Sequence, residues 1–267
     1  MERNKRKTKN GGGLESLRIA FSMYSRIPMP QTAWSQSGMQ YALCFFPLVG
    51  AVLAVFWLLC WMGLKASGVD FLASGCILTA LPILITGGIH MDGFLDTKDA
   101  RSSCQSRERK LEILKDPHAG AFAIIGCGVY LLFYLAAVSQ LLAGERIYLS
   151  AASIFVMSRA LSGWSVVGFP KARKDGLAAS FSEQAESRTV KAASGAWYLA
   201  GFLFAWKTDG IFVASALLLV SLGSFYQYRR MALREFGGVT GDLAGYFLQR
   251  TELLMMAALA FGSILLL

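Results

Sequence analysis

Charge is what this sequence is short of. Only 16% of its 267 residues are Asp, Glu, Lys or Arg, against roughly 25% in soluble domains. Such a chain lacks the polar surface that one compact soluble domain needs, which excludes a soluble monomer. Acidic residues are the scarcer sign, 17 against 26 Lys and Arg, for a net charge of +9. The basic surplus is spread thinly through apolar sequence, so the chain is not a nucleic-acid module. A hydrophobic share of 55% also excludes a disordered chain. The five cysteines (Cys44, Cys60, Cys76, Cys104 and Cys127) form no CxxC pair, and four lie inside apolar runs. They read as small buried hydrophobes, neither a disulfide framework nor a zinc site. No apolar segment of signal-peptide type follows the basic Met1–Asn10, so secretion is not expected.

What the chain has in abundance is apolar runs near the ~20 residues that cross a bilayer as a helix. They fall at Ala42–Leu64, Phe71–Ile89, Ala119–Leu142, Ile147–Phe169, Ala192–Trp206, Gly210–Phe225 and Leu253–Leu267. The fold expected is all-α, a polytopic transmembrane helix bundle of about seven spans, six to eight, with a cytoplasmic N-terminus. Seven alternating spans place 22 Lys and Arg on the inside and three (Lys65, Arg146 and Lys207) outside, with Arg159 inside a span. That satisfies the positive-inside rule, so the basic charge is first of all topological. The outside loops are too short for a site. The chemistry is expected in the cytoplasmic loops 90–118, 170–191 and 226–252.

Residues 1–13 read as a basic flexible tail, with Gly11–Gly13 as a joint, and 14–267 as a single integral-membrane domain. Leu14, Leu17, Phe21 and Tyr24 recur at helical spacing before Pro28 and Pro30, which predicts an interfacial helix over 14–28 lying among lipid headgroups.

Three clusters carry the candidate chemistry. The first is Gly87-Gly88-Ile89-His90-Met91-Asp92-Gly93-Phe94-Leu95-Asp96-Thr97-Lys98-Asp99-Ala100-Arg101. On a helix turning about 100° per residue, Asp96 and Asp99 lie at about 40° and −20° from Asp92, all on one face. Like charges at that spacing repel, and a hard divalent cation, Mg²⁺ or Mn²⁺, removes the penalty. A solvated acidic helix start is the plainer alternative. The second cluster is Glu112-Ile113-Leu114-Lys115-Asp116-Pro117-His118-Ala119-Gly120. His90 and His118, the two histidines, flank this loop and offer a general base or a phosphate donor. Lys115 can meet phosphate, whereas Asp116-Pro117 can simply start a helix. The third runs from Arg234 through Gly237-Gly238-Val239-Thr240-Gly241-Asp242 to Glu252, where a glycine turn opening a helix can hold phosphate on backbone N–H groups. Arg159, deep in a span, is either functional or paired with a carboxylate. Lys171, Arg173 and Lys174 form an inside anchor that can also attract an anionic substrate.

Together, Gly87-Gly88-x-His90-x-Asp92-Gly93-x-x-Asp96-x-x-Asp99, Ile113-Leu114-Lys115-Asp116-x-x-x-Gly120 and Gly237-Gly238-x-Thr240-Gly241-Asp242 resemble the cobalamin synthase family, the adenosylcobinamide-GDP ribazoletransferases. Ser25-Arg26-Ile27-Pro28, Asp175-Gly176-Leu177 and Glu252 match as well, and the likeness runs from about residue 14 to the C-terminus. Ala100, His118 and Ala121 depart from the usual Gly, Arg and Thr. The resemblance implies a membrane transferase in which a ribose hydroxyl of α-ribazole, or of its 5′-phosphate, attacks the corrinoid-side phosphorus of adenosylcobinamide-GDP and GMP leaves. It implies Mg²⁺ on Asp92, Asp96, Asp99 and Asp242, and His90 or a cluster aspartate as base. Lys115 and Asp116 would act at the reacting centre, and Arg26, Arg101, Arg159, Thr240, Gly241 and Glu252 would hold substrate. The implied partners are those two substrates and the lipid bilayer; a homo-oligomer or contacts with other corrinoid-pathway enzymes stay open. A CDP-alcohol phosphotransferase is the rival among enzymes, but its motif calls for Ala-Arg where Asp96-Thr97 stands. A multi-span transporter is the rival outside them.

Overall fold

The computed structural model describes residues 3–31, 34–144, 148–173 and 183–262, and the side chains of these except 3–11. The elements are α1 (Arg3–Tyr24), α2 (Gln36–Ala42), α3 (Phe46–Ala66), α4 (Phe71–Thr86), α5 (Ile89–Ser102), α6 (Arg107–Ile113), α7 (Ala121–Ala143), α8 (Ala151–Gly168), α9 (Ser187–Asp209), α10 (Ile211–Met231) and α11 (Gly241–Gly262). Among the described residues the one departure from helix and loop is an isolated parallel bridge between Lys171 and Val239. The fold is all-α, as the apolar runs imply.

Helix ends follow local chemistry. Asp70 caps α4 by accepting from the N–H groups of Leu72 and Ala73 at 2.9 and 3.0 Å, and Ser106 caps α6 through Arg109 N–H. Such caps satisfy donors that the first turn leaves unpaired. α1 stops at Tyr24, where Ser25 Oγ donates to Phe21 O at 2.7 Å, ahead of Pro28. It reaches back through Gly11–Gly13, so the three glycines lie within the helix rather than forming a break. Its Ile19, Ala20 and Phe21 are buried against the bundle, while Leu14 stays exposed.

α8 lies at the centre of the bundle, packed by α3, α9 and α11. Glycines permit the close crossings: a Cβ on Gly50 of α3 would stand 2.3 Å from Phe155 O. Large apolar side chains such as Phe56, Leu59, Ile124, Leu132, Phe133, Phe212 and Leu219 point outward. In water they would be a liability, and in lipid they are ordinary. Four helical stretches, Gln36–Ala66, Ala121–Ala143, Ala151–Gly168 and Ile211–Phe236, are long and apolar enough to cross a membrane. Counting α4 and α5 as one bent span gives a fifth. α9 and α11 fall short by that measure. The long helices α3, α4, α7, α8, α9 and α10 lie on the first six apolar runs, whereas α11 begins at Gly241, ahead of the expected Leu253–Leu267, so much of the expected loop 226–252 is helix, and residues 263–267 lie outside the described residues. The chain is a helical membrane protein.

Candidate active site

Between α4 and α5 the chain turns by 96°. Gly87 (φ +65°) and Gly88 (φ +80°) make the turn in the left-handed region, which costs a side-chain-bearing residue energy that glycine escapes. Arg26 lies against it: its N–H donates to Ile85 O at 2.7 Å, and a Cβ on Gly87 would stand 2.5 Å from Arg26 Nε. α5 then carries Asp92, Asp96, Lys98, Asp99 and Arg101 within 14 residues. A hydrocarbon core would not hold that charge, so α5 lies outside the spans, at their end.

The three aspartates are on one helix in the register that their spacing requires. Asp242, in the first turn of α11, joins them because Gly93 allows it. A Cβ on Gly93 would stand 2.8 Å from Asp242 Cα, and one on Gly245 would stand 3.1 Å from His90 O.

The four carboxylates differ in how they are compensated. The side chains of Asp92 and Asp96 make no hydrogen bond or ion pair among the described residues. Burial pushes the half-buried Asp96 carboxyl up to about 7, and the neighbouring charges of Asp92, Asp242 and Asp99 push the same way. Asp99 is spoken for: its carboxylate accepts the N–H of Gly120, and that of Ala123 at 2.9 Å, capping α7. Gly120 must be small, since its Cβ would run into that carboxylate. Asp242 accepts from Thr240 Oγ1 at 3.3 Å and pairs with Arg173 Nη2 at 3.2 Å. Burial raises its carboxyl above the usual range, with Arg173 opposing. Among the described residues no three His, Cys, Asp or Glu side chains stand close enough to hold one ion. Mg²⁺ commonly uses only one or two carboxylates and completes its shell with water and substrate phosphates, so two uncompensated hard-oxygen donors beside a third fit that mode.

The Gly237–Asp242 segment is a shaped turn. A π-helical stretch, Ala232–Phe236, ends at Gly237 (φ +79°). Val239 N–H donates to Pro170 O at 2.8 Å, and Ala172 N–H donates to Val239 O at 3.1 Å. These two bonds fasten the end of α8 to the start of α11. Thr240 Oγ1 accepts from Leu243 N–H at 3.2 Å and so caps α11, while Gly241 is exposed.

Most of the expected phosphate contacts are engaged inside the protein. Arg101 donates through Nε and Nη2 to Glu235 at 3.0–3.2 Å and through Nη1 to Tyr246 Oη at 2.9 Å. Lys110 Nζ reaches the same Glu235 at 3.2 Å. Arg159 Nη1 pairs with Glu252 Oε1 at 2.6 Å, and Ser158 Oγ donates to the same oxygen at 3.0 Å. Lys171 Nζ donates to the carbonyls of Val166 and Phe169. Lys115 is exposed, and Asp116 pairs locally with the exposed His118 at 2.9 Å. His90 is buried beside Phe46 and Tyr24, ring centroids 5.5 and 5.9 Å away, and its Nε2 has no hydrogen-bond partner among the described residues. Lys174, Asp175-Gly176-Leu177 and Arg146 lie outside the described residues.

The family model for cobalamin-5-phosphate synthase matches residues 16–260. The chain belongs to that family. Among curated members of the cobalamin synthase family, an adenosylcobinamide-GDP ribazoletransferase of Lachnoclostridium phytofermentans is 49% identical over 253 residues, covering 92% of this chain and 93% of that one. One from Pseudomonas entomophila is 32% identical, with 92% and 96% covered. One from Desulfitobacterium hafniense is 31% identical, with 91% and 95% covered. No solved structure matches.

Reading the sequence misses Glu235 and Tyr246, the partners that take up Arg101, and Lys110, which shares Glu235. Glu235 stands as one acid among Arg229, Arg230 and Arg234. That isolation was the available signal, and it does not say which of the many cations Glu235 meets.

Proposed function

We propose that this chain joins adenosylcobinamide-GDP to α-ribazole, or to its 5′-phosphate, and releases GMP, in the last steps of cobalamin biosynthesis. The observation that carries the reading is the pair of uncompensated carboxylates, Asp92 and Asp96, facing the start of α11 at one end of the helices. In the reaction the ribose hydroxyl oxygen bonds to the corrinoid-side phosphorus. The bond from that phosphorus to the bridging oxygen breaks, and GMP carries the bridging oxygen away.

Asp92 and Asp96, with Asp99 and Asp242 beside them, would hold Mg²⁺ or Mn²⁺, which when bound supplies neutralisation of the pyrophosphate charge. A cluster carboxylate or His90 takes the hydroxyl proton. Arg26, Lys115 and the Gly241 N–H would meet the substrate, while Thr240 keeps α11 capped. Arg101, Arg159 and Glu252 act through the positions they hold. The membrane is the cell membrane and the site faces the cytoplasm, a placement supported by the distribution of Lys and Arg among the loops. No observation favours a lipid phosphotransferase or a transporter.

The test is direct. Protein purified in mild detergent is given Mg²⁺, adenosylcobinamide-GDP and α-ribazole, and GMP and the completed corrinoid are measured. Absence of both products, under conditions where the Lachnoclostridium relative forms them, would sink the reading.

A further inference from the structure

Near the end of α8, Trp164 and Phe169 pack on Phe225 of α10, with ring centres 5.7 and 5.1 Å from it. Two cations lie on these rings. Lys191 Nζ of α9 stands 5.6 Å from the centre of the Trp164 ring, and Arg229 Cζ of α10 stands 5.7 Å from that of Phe169. An aromatic face attracts a cation through its quadrupole but leaves most of the N–H donors open. Neither side chain makes a hydrogen bond or ion pair among the described residues. Lys171 adds to the crowd: burial lowers its ammonium from the ordinary lysine range, and the charge of Lys191 pushes the same way. Three cations from three segments gather here, and no ion pair among the described residues balances them.

The surroundings indicate which anion would meet them. α9 packs on α8 and α10, and Tyr198 Oη and Ser221 Oγ, 2.7 Å apart, close the α9–α10 seam further along. Eight residues into α9 from Lys191, Leu199 is 55% exposed, and seven residues back along α10 from Arg229, Leu222 is 43% exposed. At 1.5 Å per residue these leucines lie about 12 and 11 Å from the cations along the helices. Positive charge at one end of an outward apolar strip matches a molecule with an anionic head and an apolar tail.

We propose that Lys191 and Arg229 bind the phosphate of an anionic phospholipid at the α9–α10 seam, with its acyl chains beside Leu199 and Leu222. The aspartate group belongs to α5 and α11, so this site is separate from the proposed reaction and does not depend on it.

Lipid-stripped protein in mild detergent is mixed with phosphatidylglycerol, or with phosphatidylcholine of the same acyl chains, and native mass spectrometry measures the lipid retained. Phosphatidylglycerol is expected to bind about tenfold more tightly, because the cations repel the choline ammonium. Lys191→Gln and Arg229→Gln should each weaken its binding about fivefold, and the double variant about thirtyfold, the scale of one cation and of two near a lipid surface. Lys207→Gln removes the same charge from the last turn of α9 and should leave binding within about twofold, whereas a diffuse effect of net charge would move it equally. If the double variant does not fold, the two single variants decide. Equal retention of the two lipids overturns the inference, as does wild-type phosphatidylglycerol binding in the variants. Displacement of the lipid from wild-type protein by inorganic phosphate or adenosylcobinamide-GDP, with loss of that ligand's binding in the double variant, would assign the cations to a soluble phosphate and overturn it as well.

Discussion

Arg159 of α8 and Glu252 of α11 form an ion pair of 2.6 Å with both side chains 1% exposed. Arg159 Nη1 also donates to Phe155 O at 3.0 Å, and its guanidinium sits 5.9 Å from the Phe46 ring centre. The pair is enclosed by the central helices, so its first role is to tie α8 to α11. Removing one partner leaves an uncompensated buried charge, which costs about 3–5 kcal/mol, whereas replacing both by apolar residues is often neutral. Glu252→Ala is therefore expected to lower the thermal unfolding temperature sharply. The double variant Arg159→Met with Glu252→Met should recover most of it and keep turnover per folded molecule. Loss of turnover in a stable double variant would return Arg159 to the substrate.

Asp92 and Asp99 should separate in mutants although both are on α5. The Asp92 side chain makes no hydrogen bond or ion pair among the described residues, so Asp92→Asn is expected to abolish turnover with little change in unfolding temperature. Asp99 caps α7; Asp99→Ala should cost about 1 kcal/mol of stability, the usual worth of a cap. Activity assays and thermal unfolding on the same preparations check both.

The raised Asp96 carboxyl gives a pH dependence with a definite sign. Its folded value of about 7 exceeds its ordinary 3.8, so the folded state holds this proton more tightly than the unfolded chain does. The stability it contributes is full below about 4 and is lost as pH rises through about 7. Metal-free protein in a chelator should therefore lose unfolding temperature across that window, and Asp96→Asn should flatten the loss. Divalent-cation affinity should run the other way, strengthening as pH rises through about 7, because the ion needs the carboxylate.

Gly93 sets how closely α5 approaches α11. A methyl group there would meet the Asp242 backbone at 2.7–2.8 Å, which neither helix can relieve by turning a side chain. Gly93→Ala is expected to push Asp242 away from Asp92 and Asp96 and to reduce kcat by at least about tenfold. Activity close to wild type would mean that Asp242 is dispensable at the site.

The Arg101–Glu235 fork links α5 to the π-helical stretch. Exposed ion pairs are worth about 0–1 kcal/mol, and a shared, partly buried fork somewhat more. A double-mutant cycle with Arg101→Gln and Glu235→Gln, read by thermal unfolding, should show coupling of about 1 kcal/mol. Zero coupling would mean that the fork adds nothing to the stability of the folded protein.

Read by itself, the sequence determines what short-range physics encodes. Apolar runs of bilayer length dictate helices and lipid-facing surface, because backbone polar groups in hydrocarbon must pair within their own segment. Spacings of four and three put Asp92, Asp96 and Asp99 on one face wherever α5 forms, and Gly87-Gly88 marks the turn before it. Only the tertiary structure decides which charges are free to act. Arg101 and Glu235 are 134 residues apart, Arg159 and Glu252 are 93 apart, and Arg173 and Asp242 are 69 apart. No local periodicity relates such pairs. Whether a cation is spent on a neighbour or kept for substrate depends on which helices pack, and that is set by close crossings at residues such as Gly50 and Gly93. For the same reason Asp99, which shares a face with Asp92 and Asp96, becomes a helix cap once α7 begins beside it.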